Sequence, residues 1–239
     1  MRGVGPEKKS ILVVVPARGG SKGVKHKNIH PLLGEPLISH TGRLIADLPW
    51  VDRAVVSTDS DAIAAAAEAL GIAAPFRRPE SLSGDRIGDR DVLDQALIEM
   101  ERQDGRLYDV VVMLQPTSPL RRPEHVTAVV ERLTTGDWDS VWTISPADLK
   151  YHPLKALVQA EDGLVSYFDP RGSQIIARQQ LQPTYYRNGA AYALTRGCLN
   201  GQQSMTGLRW SAVVIEEPMV SIDTLIDFAK IEVIMSSRV

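Results

Sequence analysis

Short β-branched runs alternate along the chain with stretches whose apolar positions recur every three or four residues, and this alternation sets the expected fold. Val13, Val14 and Val15 form the first run, which breaks at Pro16. Leu37, Ile38, Leu44, Ile45 and Leu48 then fall at helical spacing behind Pro36, a residue suited to a first helical turn. Arg53 to Asp59 reads as a second strand ending in hydroxyls and a carboxylate, followed by an alanine-rich helix from Asp61 to Leu70 that Gly71 stops. Val92, Leu93, Ala96, Leu97 and Met100 mark another helical face, and Asp109 to Leu114 a third core strand. Pro123 and Glu124 open a helix bearing Val126, Val129, Val130 and Leu133, ahead of a strand from Asp139 to Ile144.

Strands alternating with helices in this way predict an α/β fold, with a mainly parallel sheet covered on both faces. Residues 147–187 break the pattern into short mixed pieces, which reads as an antiparallel excursion from the sheet. Ala190 to Leu194 resumes a strand, and Ser211 to Glu216 supplies another. The last helix is expected to start near Asp223, with Leu225, Phe228, Ile231 and Ile234 facing inward. Ligands of such sheets sit outside the carboxyl ends of strands. The loop after Val15, the Ser57 to Asp59 end and the turn from Gln115 to Arg121 all lie at such ends, so one crevice is expected to collect them.

With 239 residues, 44% of them hydrophobic, the whole of 1–239 is expected to form one domain, with 147–187 inserted in it. Net charge is −2, from 27 basic and 29 acidic residues, so no global field draws nucleic acid or an anionic membrane surface. Met1 to Ser10 is polar, and the apolar run behind it is too short for a signal peptide or a membrane span, so a soluble, cytoplasmic protein is expected. Cys198 is the single cysteine, which leaves no internal disulfide and suits a buried, small side chain in a reducing compartment.

The chemistry is concentrated behind the first strand. Pro16-Ala17-Arg18-Gly19-Gly20-Ser21-Lys22-Gly23 runs on to Lys25, Lys27 and Asn28, so cations are interleaved with glycines at a strand end. Glycines let backbone N–H groups approach a polyanion, and the guanidinium and ammonium groups supply counter-charge at the same place. At an effective dielectric of about 20, one cation about 4 Å from an anionic oxygen contributes roughly 4 kcal/mol of attraction. The glycine spacing matches neither a Walker A loop nor a dinucleotide fingerprint, so neither a P-loop ATPase nor a nicotinamide-dependent dehydrogenase follows from it. A free triphosphate attacked at its α-phosphorus fits better, with Arg18, Lys22 and Lys27 neutralising charge as pyrophosphate leaves. Leaving-group charge calls for Mg2+, and Asp223 is the candidate ligand, against a helix N-cap as the alternative; Asp227, one turn on, reads as a solvated face residue. The five histidines are scattered or poorly spaced for a metal, and neither Ser21 nor Ser118 sits in a hydrolase elbow.

Five stretches together resemble the acylneuraminate cytidylyltransferase, or CMP-sialic acid synthetase, family. They are Pro16 to Gly23 with Lys27-Asn28, Arg78-Pro79 through Asp85, Leu114-Gln115-Pro116-Thr117-Ser118-Pro119-Leu120-Arg121, Asn188-Gly189-Ala190, and Ser221-Ile222-Asp223-Thr224 with Asp227-Phe228. The resemblance implies a Rossmann-like three-layer α/β/α fold and transfer of CMP from CTP to the anomeric hydroxyl of a nonulosonic 2-keto sugar acid, with Mg2+. By position it implies nucleotide contacts from Ala17, Gly19, Ser21, Asn28, Arg78 and Asp85 around the catalytic cations. It places Gln115, Thr117, Ser118, Lys155, Arg178 and Tyr192 against the sugar, or across a homodimer formed by the excursion. Sialate-activating members carry Asp-Ile-Asp where this chain has Ser221-Ile222-Asp223, so one metal carboxylate is missing. The alternatives that follow are a pseudaminic, legionaminic or ketodeoxyoctonate substrate, or a nucleotide-binding homologue with little turnover.

Overall fold

The computed structural model describes residues 9–237, and the polar lead from Met1 as far as Lys8 lies outside them. In chain order the elements are β1 (Ile11–Pro16), β2 (Pro31–Leu32), β3 (Glu35–Pro36), α1 (Leu37–Ala46), β4 (Arg53–Ser57), α2 (Asp61–Glu68), α3 (Asp89–Asp104), β5 (Val110–Met113), α4 (Pro123–Thr135) and β6 (Ser140–Pro146). They continue with β7 (Leu157–Gln159), β8 (Val165–Tyr167), β9 (Tyr185–Thr195), β10 (Trp210–Val214) and α5 (Leu225–Ser236).

Six strands form the central sheet in the order β10-β6-β9-β5-β1-β4. β1 runs parallel to β4 and β5, and β10 runs parallel to β6, as the βα alternation predicts. β9 is antiparallel to both β5 and β6 and joins the two parallel groups. The period of two along β1 divides the core. Val13 and Val15 pack with Ile38, Ile63 and Val129 of α1, α2 and α4, whereas Leu12 and Val14 pack with Leu93, Leu97 and Met100 of α3. Helices therefore cover both faces, and the fold is Rossmann-like. A third cluster, including Val24, Leu120, Ala190, Ile222 and Phe228, packs α5 against the loops beyond the strand ends.

The excursion departs where the Ala147 N–H donates to the Thr184 carbonyl (2.8 Å) and contains the antiparallel hairpin β7–β8, whose Leu157, Val165 and Tyr167 are exposed. The strand expected at Ala190 to Leu194 is longer than its apolar run, because Tyr185 to Arg187 also pair with β6. The final helix begins two residues later than Asp223. Phe228 and Ile231 face inward as expected, but Leu225 sits in the first turn and is exposed. Thr224 is the N-cap, and Asp227, read from sequence as a solvated face residue, closes a capping box by accepting the Thr224 N–H (2.8 Å). Cys198 is buried in a π-helical turn, Gly197–Gly201, that the sequence pattern does not announce, and burial pushes its thiol up to about 11. Among the described residues no helix is long and apolar enough to cross a membrane.

Candidate active site

Beyond β1 the chain leaves the sheet in a loop whose polar groups are tied to neighbouring strand ends. The buried Ala17 donates its N–H to the Ser57 carbonyl (3.0 Å), and the Gly19 N–H donates to Asp59 Oδ1 (2.7 Å). Asn28, also buried, donates from Nδ2 to the Arg18 carbonyl (3.0 Å), so it folds the loop back on itself. Gly23 passes so close to the segment before α5 that a Cβ would lie well under 3.0 Å from the Asp223 carbonyl oxygen. Lys27 spans the same gap. Its Nζ donates to the Ile222 carbonyl (2.8 Å) and to Asp223 Oδ1 (3.1 Å), and its side chain is only 12% exposed. The Ile222 N–H in turn donates to the Thr117 carbonyl (2.8 Å), so the basic loop, the turn after β5 and the Asp223 segment are fastened together.

The turn after β5 is held from below by Arg121. This buried guanidinium donates to the Ala190 carbonyl (2.8 Å), to Thr41 Oγ1 (2.9 Å) and to the Gln115 carbonyl. Desolvation lowers its pKa to about 9, which still leaves it charged at neutral pH. Asn188-Gly189-Ala190 forms a bulge in β9 opposite Thr143, whose hydroxyl donates to Asn188 Oδ1 (2.6 Å) and accepts the Ala191 N–H (2.9 Å). Gly189 has φ +75°, and a Cβ there would stand 2.9 Å from Ser118 Oγ. Both conformation and space demand glycine at this point.

These segments enclose a cavity of about 470 Å³ whose lining includes Arg18, Ser21, Lys22, Lys27, Asn28, Arg78, Asp85, Gln115, Thr117 and Asp223. Ten sequence-selected residues therefore meet in one crevice. Arg18 donates to Asp85 Oδ1 (2.6 Å) and Lys22 pairs with the other oxygen; hydrogen bonds from Lys22 and then Arg18 hold the Asp85 carboxyl below its ordinary range. Arg78 is buried beneath them, donating to the Ser57 hydroxyl (3.1 Å) and carbonyl; burial lowers its pKa, with the Asp59 carboxylate opposing.

A second cavity of about 400 Å³ adjoins the first and is lined by Tyr192 together with Tyr186, Arg187, Asn188, Gly189 and Ser221. Asp89, Gln115 and Asp223 line both. Sequence reasoning misses Asp89 and Arg187. An acid in a first helical turn reads there as ordinary helix grammar, and nothing in the pattern shows that it reaches a cavity. Lys155 and Arg178 do come together, but in a third cavity of about 390 Å³ within the excursion that shares no lining residue with the other two. The chain thus does not bring them to the crevice of the basic loop, because the excursion carries them on its own 3-10 turns. Ser118 and Gly19 support the walls rather than line either of the two adjoining cavities.

Among the described residues no group of three or more histidine, cysteine or acidic side chains is placed to hold a metal. Asp223 nevertheless presents a hard oxygen donor to the crevice, with a side chain 79% exposed. That suits Mg2+, which takes one or two carboxylates and completes its shell with phosphate oxygens and water.

Comparison with known proteins identifies the family and the shared fold. Residues 12–231 match the sequence model of the cytidylyltransferase family. The chain is 32% identical over 228 residues to the CMP-N,N'-diacetyllegionaminic acid synthase of Legionella pneumophila, covering 94% of this chain and 96% of that protein. It is 32% identical over 221 residues to the N-acylneuraminate cytidylyltransferase of Streptococcus agalactiae, covering 91% of this chain and 51% of that longer protein. The fold is shared with a solved CMP:2-keto-3-deoxy-manno-octonic acid synthetase complexed with CTP, at a TM-score of 0.71 and 19% identity over 96% of this chain and 100% of that one. By its sequence match along nearly all of its length, the chain belongs to the cytidylyltransferase family, and it is a nucleotidyltransferase.

Proposed function

We propose that the protein transfers CMP from CTP to the anomeric hydroxyl of a nonulosonic, sialic-acid-like sugar acid and releases pyrophosphate. The observation that carries this reading is the fastening of the basic loop to both the Gln115 turn and Asp223, around a cavity large enough for a nucleotide. Arg18 and Lys22 take the triphosphate, exchanging their bonds to Asp85 for bonds to phosphate oxygens. Lys27 holds Asp223 in register and adds charge at the rim. Arg78 fixes the β4 end beneath them. Asp223, together with triphosphate oxygens, would hold Mg2+, which would supply neutralisation of the leaving pyrophosphate's charge.

The adjoining cavity around Tyr192 receives the sugar acid, and Gln115 stands between the two substrates. Relatives named for legionaminic and N-acylneuraminic acids set the substrate class. Residues 147–187 are the dimerisation element of a single-domain chain, and Lys155 and Arg178 complete the sugar site of the partner. Their seclusion in a separate cavity supports action across an interface rather than within one protomer.

The test is incubation of purified protein with CTP, Mg2+ and a panel of nonulosonic acids, measuring pyrophosphate. Release that depends on one sugar acid is expected. CTP binding without release on any acid, at high enzyme concentration, would overturn the reading in favour of a nucleotide-binding homologue.

A further inference from the structure

The geometry points to Asp89 as the general base that removes the proton from the attacking hydroxyl; this rests on the CMP-transfer reading above. In such a transfer the hydroxyl oxygen and the α-phosphorus meet where the nucleotide cavity adjoins the sugar cavity. Three residues line both: Asp89, Gln115 and Asp223. The Gln115 amide has no useful basicity. Asp223 is paired to Lys27 and is the metal candidate. Asp89 remains.

Its placement suits the task. Asp89 is the first residue of α3, but Gly88 holds the cap position, so the carboxylate is not spent on capping. Its Oδ2 accepts a hydrogen bond from Gln115 Nε2 (3.3 Å), which orients the group toward the boundary. Arg187 and the Tyr192 phenol act on it from β9, Arg78 from the segment between α2 and α3, and Asp223 shares its cavities from the segment before α5. Asp89 keeps an exposed edge on the cavity, and partial desolvation by the surrounding walls raises its pKa above the ordinary aspartate value, while Arg187, Arg78 and the Gln115 amide oppose that rise and favour the carboxylate. A carboxylate more basic than usual, with cations beside it that favour its charged form, suits proton removal.

The step balances. As the sugar's O–H bond breaks, its proton passes to an Asp89 oxygen and the hydroxyl oxygen bonds to the α-phosphorus. The bond from that phosphorus to the bridging oxygen breaks, pyrophosphate leaves with the electron pair, and Asp89 later returns the proton to solvent.

The test compares wild type, Asp89→Asn and Asp89→Glu for CTP affinity, turnover across pH and Mg2+ dependence. For Asp89→Asn, kcat should fall about 100- to 1000-fold with CTP affinity within about threefold of wild type. Wild-type kcat should rise with pH through a single ionisation above the ordinary aspartate value of about 3.9, since only the carboxylate accepts the proton. Asp89→Asn should lack that limb and Asp89→Glu should restore part of the rate together with it. The proposal is overturned if Asp89→Asn keeps kcat within about threefold. It is equally overturned if the limb persists in Asp89→Asn while the Mg2+ midpoint moves, which would make Asp89 a metal ligand. A wild-type protein that binds CTP but turns over no sugar acid removes the CMP-transfer reading, and this proposal with it.

Discussion

Replacing Gly23 by alanine tests the assembly of the crevice with the smallest possible change. Gly23 does not need glycine for its backbone angles, since its φ is not positive; it needs the room. An alanine Cβ would approach the Asp223 carbonyl oxygen well inside 3.0 Å, and both partners are backbone-anchored. Restoring an ordinary contact of about 3.4 Å requires the loop and the Asp223 segment to part by roughly 1 Å. That opening stretches the Lys27 bonds to Ile222 (2.8 Å) and Asp223 (3.1 Å). A displacement of about 1 Å at a positioning element costs about 100-fold in rate, and the overpacking costs about 1–3 kcal/mol of stability. For a chain of this size each kcal/mol lowers the melting temperature by about 2–4 °C. Gly23→Ala should therefore lose about 100-fold in kcat/KM for CTP-dependent pyrophosphate release and melt several degrees lower. Gly20, in the same loop, has open space where a methyl group would stand, with nothing within 4 Å, so Gly20→Ala should be silent in both assays. If Gly23→Ala matches Gly20→Ala in rate and melting, the close approach does not govern the site.

Lys27→Met removes two charge-assisted bonds, each typically about 1.5–3 kcal/mol, and should slow CMP transfer more than it weakens CTP binding; equal losses would assign Lys27 to ground-state binding. Asp223→Ala should raise the Mg2+ concentration needed for half-maximal rate, and an unchanged metal titration would remove Asp223 from the metal site. Arg178→Ala chains mixed with Asp223→Ala chains should recover activity if each protomer completes its partner's sugar site, whereas activity no greater than the sum of the parents would place Arg178 outside it.

The first half of the fold is readable in the chain because its strands are buried on both faces and so appear as unbroken apolar runs, such as Val13 to Val15. The direction of β9 is not readable that way. Its buried stretch from Ala190 to Leu194 has the same composition whether it runs parallel or antiparallel, and only the return path of the excursion decides. The basic loop shows in sequence because cations between glycines have few other uses, and Arg18, Lys22 and Lys27 do face one crevice. The supporting contacts are hidden because they pair residues far apart in the chain. Gly23 owes its identity to Asp223, and Gly189 to Ser118. Arg121 is legible as part of the Gln115 turn, yet its role as the buried staple between that turn and β9 is a tertiary fact. Thr224 and Asp227 show the opposite lesson. Their spacing is that of a capping box, a local signal that the neighbouring Asp223, itself a candidate cap, masks in the sequence.

The central claim is that residues 18–28 are charged and shaped for a nucleoside triphosphate. It is tested most directly by equilibrium titration of CTP into the wild-type protein and into the Arg18→Gln/Lys22→Gln double variant at low and high salt. Two charge-assisted contacts at about 1.5 kcal/mol each predict about a 100-fold loss of affinity in the variant, and wild-type binding that weakens with salt more steeply than the variant's. Equal affinity of the two proteins for CTP, with the same salt dependence, would contradict the account.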